Sequence, residues 1–317
     1  MRKISMQANR KDMTLEKAFD DFIREKRVMK LSEATIRSYE ARFKDFTTFI
    51  PADSLCREIT QGTIHKYIEL VQERNPNIKA VTINTNLRHI RAMLYNFMEQ
   101  GYMDSFKIKM LKYEKELIEV YSEAELGRLL KKPDKKKCNF SQYRTWVIIC
   151  YLLGTGNRLG TITNLKIKDI NFENREISLR KVKNKRQYVI PLSATLTKTL
   201  TEYLKIRGGK PDDYLFCNQY GEQLHKDSIT TAIYRYNHSR GVLKTSTHLF
   251  RHTFAKNWIL NGGDPFRLKA MLGHSSMAMV NEYTGMFGKD LHRDFETFNP
   301  LDNMKGLLGE KTAIKMG

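Results

Sequence analysis

The sequence is poor in cysteine, proline, acid and long apolar runs. Among its 317 residues there are four cysteines and seven prolines. Cys56, Cys138, Cys150 and Cys217 stand far apart, with no C-x-x-C pair among them. That spacing offers neither a disulfide framework nor a zinc knuckle, and it suits a reducing compartment, the cytoplasm. The longest apolar run, Trp146 to Leu153, falls far short of the ~20 residues that span a bilayer. The amino terminus turns polar directly after Met-Arg-Lys, without the apolar stretch of a secretion signal. No internal repeat or low-complexity segment is visible.

Acid is the most telling shortage. Asp and Glu number 35 against 55 Lys and Arg, a net charge of +20 and an isoelectric point near 9.7. A chain so charged repels itself unless a polyanion is present, and nucleic acid is the first candidate. The surplus is +7 over residues 1–115 and +13 over residues 116–317, so it is no basic tail on a neutral body. Charge alone does not separate DNA from RNA or an anionic membrane. What the chain has in plenty is apolar material: 41% hydrophobic residues close real cores, and the length suits about two domains at roughly 150 residues each.

Residues 1–13 are polar and basic and read as a flexible arm. Ile36, Tyr39, Phe43, Phe46 and Ile50 recur at spacings of three and four, one stripe of a helix opening near Ser32. Ile83, Leu87, Ile90, Leu94 and Phe97 repeat the pattern, and Gly101 supplies a stop. With helices over 14–27 and 60–73, residues 14–102 read as a domain of four or five helices. Residues 103–120, basic and weakly periodic, read as a linker.

A second domain, 121–297, opens where Ser122 and Glu125 form a capping box and Tyr121 is placed to staple onto Leu126. Glu176–Arg180 and Arg186–Pro191 read as strands around a Lys-rich turn, with Tyr214–Phe216 as a third. Thr247 is the expected N-cap of a helix from His248 to about Leu260. Asp264-Pro265 caps the next helix, which stops at Gly273. The fold class expected is mainly α with a small antiparallel β-sheet, followed by a tail over 298–317.

Several segments carry side chains suited to phosphate chemistry. In His248-Leu249-Phe250-Arg251-His252, His248 and Arg251 share a helix face and can converge on one anion. His248 and His252 at i, i+4 also suit a metal, though no Glu follows the first as in H-E-x-x-H. A solvated polar face is the third reading. Gly154-Thr155-Gly156-Asn157-Arg158-Leu159-Gly160 resembles a dinucleotide loop only superficially, because helix flanks it on both sides. Its glycines instead let the backbone turn and leave the Arg158 guanidinium facing a phosphate. The run Lys181–Arg186 is either a solvated charge run or a mobile turn that inserts a lysine into a DNA groove. His274 sits in the turn after Gly273. Tyr283, nine residues on, is one of 15 tyrosines and carries no signal alone.

Taken together, Arg158, Lys183, His248, Arg251, His274 and Tyr283 stand in the order and spacing of the tyrosine recombinase, or phage integrase, family, which the chain resembles over most of its length. Thr-Gly-x-Arg, a turn lysine before Val-Ile-Pro-Leu, His-x-x-Arg-His and Leu-Gly-His-Ser-Ser carry the resemblance. It implies a SAM-like helical core-binding domain over 14–102 and an α+β catalytic domain over 121–297. It further implies that Tyr283 attacks a phosphodiester to give a 3′-phosphotyrosine and a 5′-hydroxyl. Arg158 and Arg251 would clamp the non-bridging oxygens, and Lys183 would protonate the leaving oxygen. His248 would assist proton removal from Tyr283, and His274 would hydrogen-bond the phosphate. No cofactor or metal is implied.

The partner so implied is a double-stranded DNA site, gripped by both domains and recombined by a homotetramer on two duplexes. The tail would dock on a neighbouring protomer, and an accessory directionality factor would assist. The short arm leaves little room for an arm-binding domain. Arg37, Arg88 and Arg91 are DNA-contact candidates, on helix faces that solvation explains equally well. Two departures from the family pattern stand out: Thr161 where an acidic residue is usual, and Asn157 where an apolar one is. A mobile-element or phage integrase, a chromosome-dimer resolvase, a type IB topoisomerase-like enzyme and a catalytically degenerate DNA-binding regulator all remain open.

Overall fold

The computed structural model describes residues 13–114, 119–179 and 188–273, together with 276, 277, 280, 281 and 283. Between residues 116 and 117 the chain divides into two compact units.

The described part of the first unit contains α1 (Leu15–Val28), α2 (Glu33–Thr47), α3 (Gln61–Arg74) and α4 (Ala80–Gln100). Three of them begin where a hydroxyl satisfies an orphan amide: Thr14, Ser32 and Thr60 accept from the N–H of Lys17, Thr35 and Thr63. Gly101 ends α4 in the left-handed region at φ 71°. The apolar stripe of α4 lies wholly in the core with Phe19, Phe22, Ile36 and Phe46, while Tyr39, Phe43 and Ile50 of the expected α2 stripe pack half-buried against it.

The segment read as the start of a linker is not one. Met103 and Ile108 are buried in this same core, with Phe106, Met110 and Leu111 packed on it. Asn84, 2% exposed, donates from Nδ2 to the Leu111 carbonyl at 2.9 Å and accepts the Leu111 amide at 2.9 Å. These residues form no helix, so a search for helical periodicity passes over them.

The second unit comprises α5 (Glu123–Leu130), α6 (Phe140–Thr155), α7 (Leu159–Ile162), β1 (Ile170–Asn171), β2 (Glu176–Leu179), β3 (Tyr188–Pro191), α8 (Ala194–Arg207), α9 (Lys226–Ser239), α10 (Thr247–Leu260) and α11 (Pro265–Leu272). The Ser122–Glu125 capping box closes reciprocally at 3.2 and 2.7 Å. From Tyr143 onward α6 is buried or half-buried throughout, and it packs against α5, α8, α9 and α10. Its burial accounts for the Trp146–Leu153 run without a membrane, and no described helix is long and apolar enough to cross one.

The sheet runs β1-β2-β3 and is antiparallel, with Ile177 opposite both Ile170 and Ile190. Tyr214–Phe216 is therefore not the third strand. Leu215 and Phe216 are fully buried, but Tyr214 makes only an isolated bridge to Lys166. The chain beyond Lys166 winds into a 3₁₀ turn over Ile167–Asp169 and leaves no extended partner to pair with. The expected cap of α10 also moves by one residue. Ser246 is the N-cap, accepting the His248 amide, and Thr247 is the first helical residue.

Replacing Asn84 by Ala removes two buried hydrogen bonds and leaves the Leu111 backbone unpaired, a loss of about 2 kcal/mol. Trypsin should then cut at Lys107, Lys109 or Lys112 faster than in the parent; equal resistance would show that Asn84 does not pin the segment.

Candidate active site

The site is built where α6 ends. Gly156 is its C-cap in the left-handed conformation, φ 62°. A Cβ there would lie 2.5 Å from Phe254 Cδ1 and 2.7 Å from Leu272 Cδ2, so only glycine allows α6, α10 and α11 to meet. The next residue, Asn157, is 2% exposed. Its Nδ2 donates to the Tyr151 hydroxyl at 2.7 Å, which satisfies a polar side chain in a place otherwise suited to an apolar one. Arg158 follows, half-buried, as the N-cap of α7. Thr161 donates its amide to the Arg158 carbonyl at 2.9 Å; among the described residues its hydroxyl makes no bond to the guanidinium.

α10 contributes three residues. Arg251 is 2% exposed. Nη1 donates to the Gly156 carbonyl and Nη2 to the Leu272 carbonyl, each at 2.9 Å. One guanidinium thus ties together the C-terminal ends of α6 and α11, where the helix dipole is negative. His248, one turn earlier, is held below its ordinary pKa by partial burial, then by Arg251 and Arg158. Both guanidiniums thus act on one imidazole.

His252 is the residue that sequence reasoning misplaced. Its Nδ1 lies 2.8 Å from the Tyr283 hydroxyl, and its ring meets that of His248 edge-on at 4.8 Å. Partial burial, with His248 and Arg251 beside it, pushes its pKa down to about 4. His252, weighed with His248 as a metal ligand or as part of a solvated polar face, thus spends one ring nitrogen on Tyr283. Tyr283 is half-buried against Ala255, Ile259, Leu268, Leu272 and Val280. The contact joins residues 31 apart in sequence, and only the fold reveals it.

Lys183 and His274 lie outside the described residues, as does the tail over 298–317. Arg37 and Arg88 are exposed on α2 and α4, and Arg91, half-buried, lies over the Tyr95 ring at 5.9 Å. One cation went unnoticed in the sequence: Lys226, exposed at the start of α9. Its stem crosses Gly160, where an added Cβ would stand 3.2 Å from Nζ. It sits 66 residues from Gly160 in sequence and against it in the fold.

This geometry has known relatives. The Phage integrase family profile matches residues 119–288, and the Phage integrase SAM-like domain profile matches residues 14–115. The chain therefore belongs to the phage integrase family, whose members include the tyrosine recombinases. It is 26% identical over 282 residues to the tyrosine recombinase XerD of Staphylococcus epidermidis, covering 85% of this chain and 94% of the relative. The fold is shared with the Tn1549 transposon integrase in complex with circular intermediate DNA, at a TM-score of 0.71 and 21% identity over 89% of this chain and 99% of the other. It is shared as well with a lambda integrase tetramer bound to a Holliday junction, at 0.69 and 16% identity over 86% and 77%.

Two outcomes test the site. Gly156→Ala forces a left-handed alanine into the side chains of Phe254 and Leu272, and should lower stability by at least about 2 kcal/mol, read as a fall in Tm. The second is pH dependence. His252 binds its proton near pH 4 when folded and near 6.5 when unfolded. The unfolded chain thus takes up more protons between those values, and stability should fall as pH drops from about 6.5 towards 4. His252→Asn should flatten that decline; an unchanged slope in urea midpoints across the window would contradict it.

Proposed function

We propose that this recombinase cuts and rejoins double-stranded DNA at a specific site through a 3′-phosphotyrosine on Tyr283. The observation that carries the reading is the convergence of Arg158 with His248 and Arg251 of α10, whose next residue, His252, meets the Tyr283 hydroxyl. A phenol with a pKa near 10 is a weak nucleophile at neutral pH. Guanidiniums fixed before the substrate arrives stabilise both the phenolate and the charge that builds on a pentavalent phosphorus, an effect worth several kcal/mol in a dry site.

In the reaction Tyr283 Oη bonds to phosphorus and gives up its proton, for which His248 is the acceptor by family resemblance, as the bond to the 5′-oxygen breaks and that oxygen takes a proton from Lys183 by the same resemblance. His274 completes the phosphate contacts by the same resemblance. Rejoining reverses the step with a second 5′-hydroxyl, so the phosphodiester bond energy is kept and no nucleotide cofactor is consumed. The cations occupy the role that metal ions play in two-metal nucleases.

Recombination of two sites needs four protomers on two duplexes, an assembly supported by the fold shared with the lambda integrase tetramer on a Holliday junction. Integration or excision of a mobile element is the biological setting favoured by the likeness to a transposon integrase; the likeness to XerD keeps chromosome-dimer resolution as the second reading. An accessory directionality factor belongs to the first setting only. The net charge of +20 supplies affinity for the DNA backbone, with Arg37, Arg88 and Arg91 as groove or phosphate contacts.

A nicked suicide duplex carrying the site, incubated in EDTA, should give a covalent protein–DNA adduct. Tyr283→Phe should abolish the adduct and leave DNA binding intact; an adduct that persists in this variant overturns the nucleophile. Relaxation of any supercoiled plasmid, without strand exchange between paired sites, would point to a topoisomerase instead. Lys226→Gln should weaken binding uniformly across sequences and reduce the slope of log K against log salt by about one; an unchanged slope would remove Lys226 from the DNA interface.

A further inference from the structure

We propose that His252 is the positioning residue of Tyr283, accepting the phenol's hydrogen bond at Nδ1 and so fixing the direction in which its oxygen faces the phosphate. The inference rests on Tyr283 being the nucleophile and goes beyond it, because the family resemblance gives His252, one turn on from His248, no role.

The geometry is direct. The Nδ1–hydroxyl distance is 2.8 Å, with ring centroids 5.6 Å apart and planes inclined by 46°. An aromatic oxygen on a single-bonded stem sweeps an arc as its χ angles change, and in-line attack accepts a narrow part of that arc. A second anchor at the oxygen itself removes this freedom. His252 provides it from the residue after Arg251, whose guanidinium is locked to two backbone carbonyls. The anchor of the nucleophile and the clamp for the phosphate are therefore consecutive residues of one helix, held in register by its backbone.

The direction proposed, with the phenol donating, goes with the His252 tautomer whose proton is on Nε2. A phenol at neutral pH keeps its proton, and a neutral imidazole has one donor and one acceptor. The groups that face His252 are Arg251 and His248 on its own helix and Tyr283 across from it. Arg251 carries a positive charge, so a second proton on His252 is disfavoured, and in this tautomer Nδ1 stays an acceptor throughout the neutral range. The His248 ring, edge-on at 4.8 Å, limits rotation of the His252 ring. With the phenol donating to Nδ1, electron density shifts onto the oxygen that must attack.

The test uses the full chain on the suicide duplex at saturating DNA, read as the single-turnover rate of adduct formation. His252→Phe fills the same space without an acceptor and should slow adduct formation roughly tenfold or more. His252→Asn places Oδ1 where Nδ1 stood and should recover most of that rate. His252→Gln, whose oxygen reaches past that point, should not. A merely structural histidine would show no such order, so the Asn and Gln pair decides even where the Phe variant fails to fold. A Phe variant as fast as the parent, or an Asn variant no faster than Gln, overturns the proposal. Tyr283→Phe run alongside separates the two readings: an adduct there refutes the nucleophile, and its absence leaves His252 to be judged on its own variants.

Discussion

The site depends on one buried charge. Arg251 is almost wholly removed from water, a placement that is costly for any ion lacking partners. It is tolerated because its two terminal nitrogens meet backbone carbonyls at the ends of α6 and α11, where unsatisfied acceptors collect and the dipole is negative. A lysine offers one point of charge and cannot bridge both ends in this planar manner. Through that fork the helix carrying His248, Arg251 and His252 is tied to the turn that presents Arg158 and to the helix that leads towards His274 and Tyr283.

A second consequence is electrostatic. Arg158, Arg251 and His248 crowd into one region; partial burial first, and then these neighbouring charges, depress the basicity of the histidines of α10, with Arg158 acting on His248 only. An anion among them would relieve the repulsion, so under the proposed function the groups that bind a phosphodiester would also activate it. Neutral imidazoles serve the same end, since an imidazolium beside Tyr283 would have no acceptor to offer it. Binding and reactivity thus share a cause in the field of two guanidiniums.

Much of this was legible in the chain, for local reasons. The stripes of α2 and α4, the Ser122–Glu125 box and the glycine stops are rules of neighbouring residues, and neighbours are what a sequence displays. His-x-x-Arg-His announced a shared face for the same reason. The rest needed distant partners. His252 could be weighed only as a metal ligand or surface group until Tyr283 arrived beside it. Met103–Leu111 has no helical period, because its partner is the Asn84 side chain rather than its own backbone. Tyr214–Phe216 has the burial of a strand without its pairing, and burial is what its residue types report. Lys226 comes against Gly160, two residues from Arg158, only because α9 begins there.

The most direct trial of the whole account is to find where the DNA is attached. After a suicide duplex is cut in EDTA, trypsin should release a nucleotide-bearing peptide spanning residues 270–289, and fragmentation should place the 3′-phosphate on Tyr283. Attachment at Ser275, Ser276 or any other residue, or cleavage that waits for a divalent metal, would contradict the assembly of Arg158, Arg251 and Tyr283 around one phosphorus.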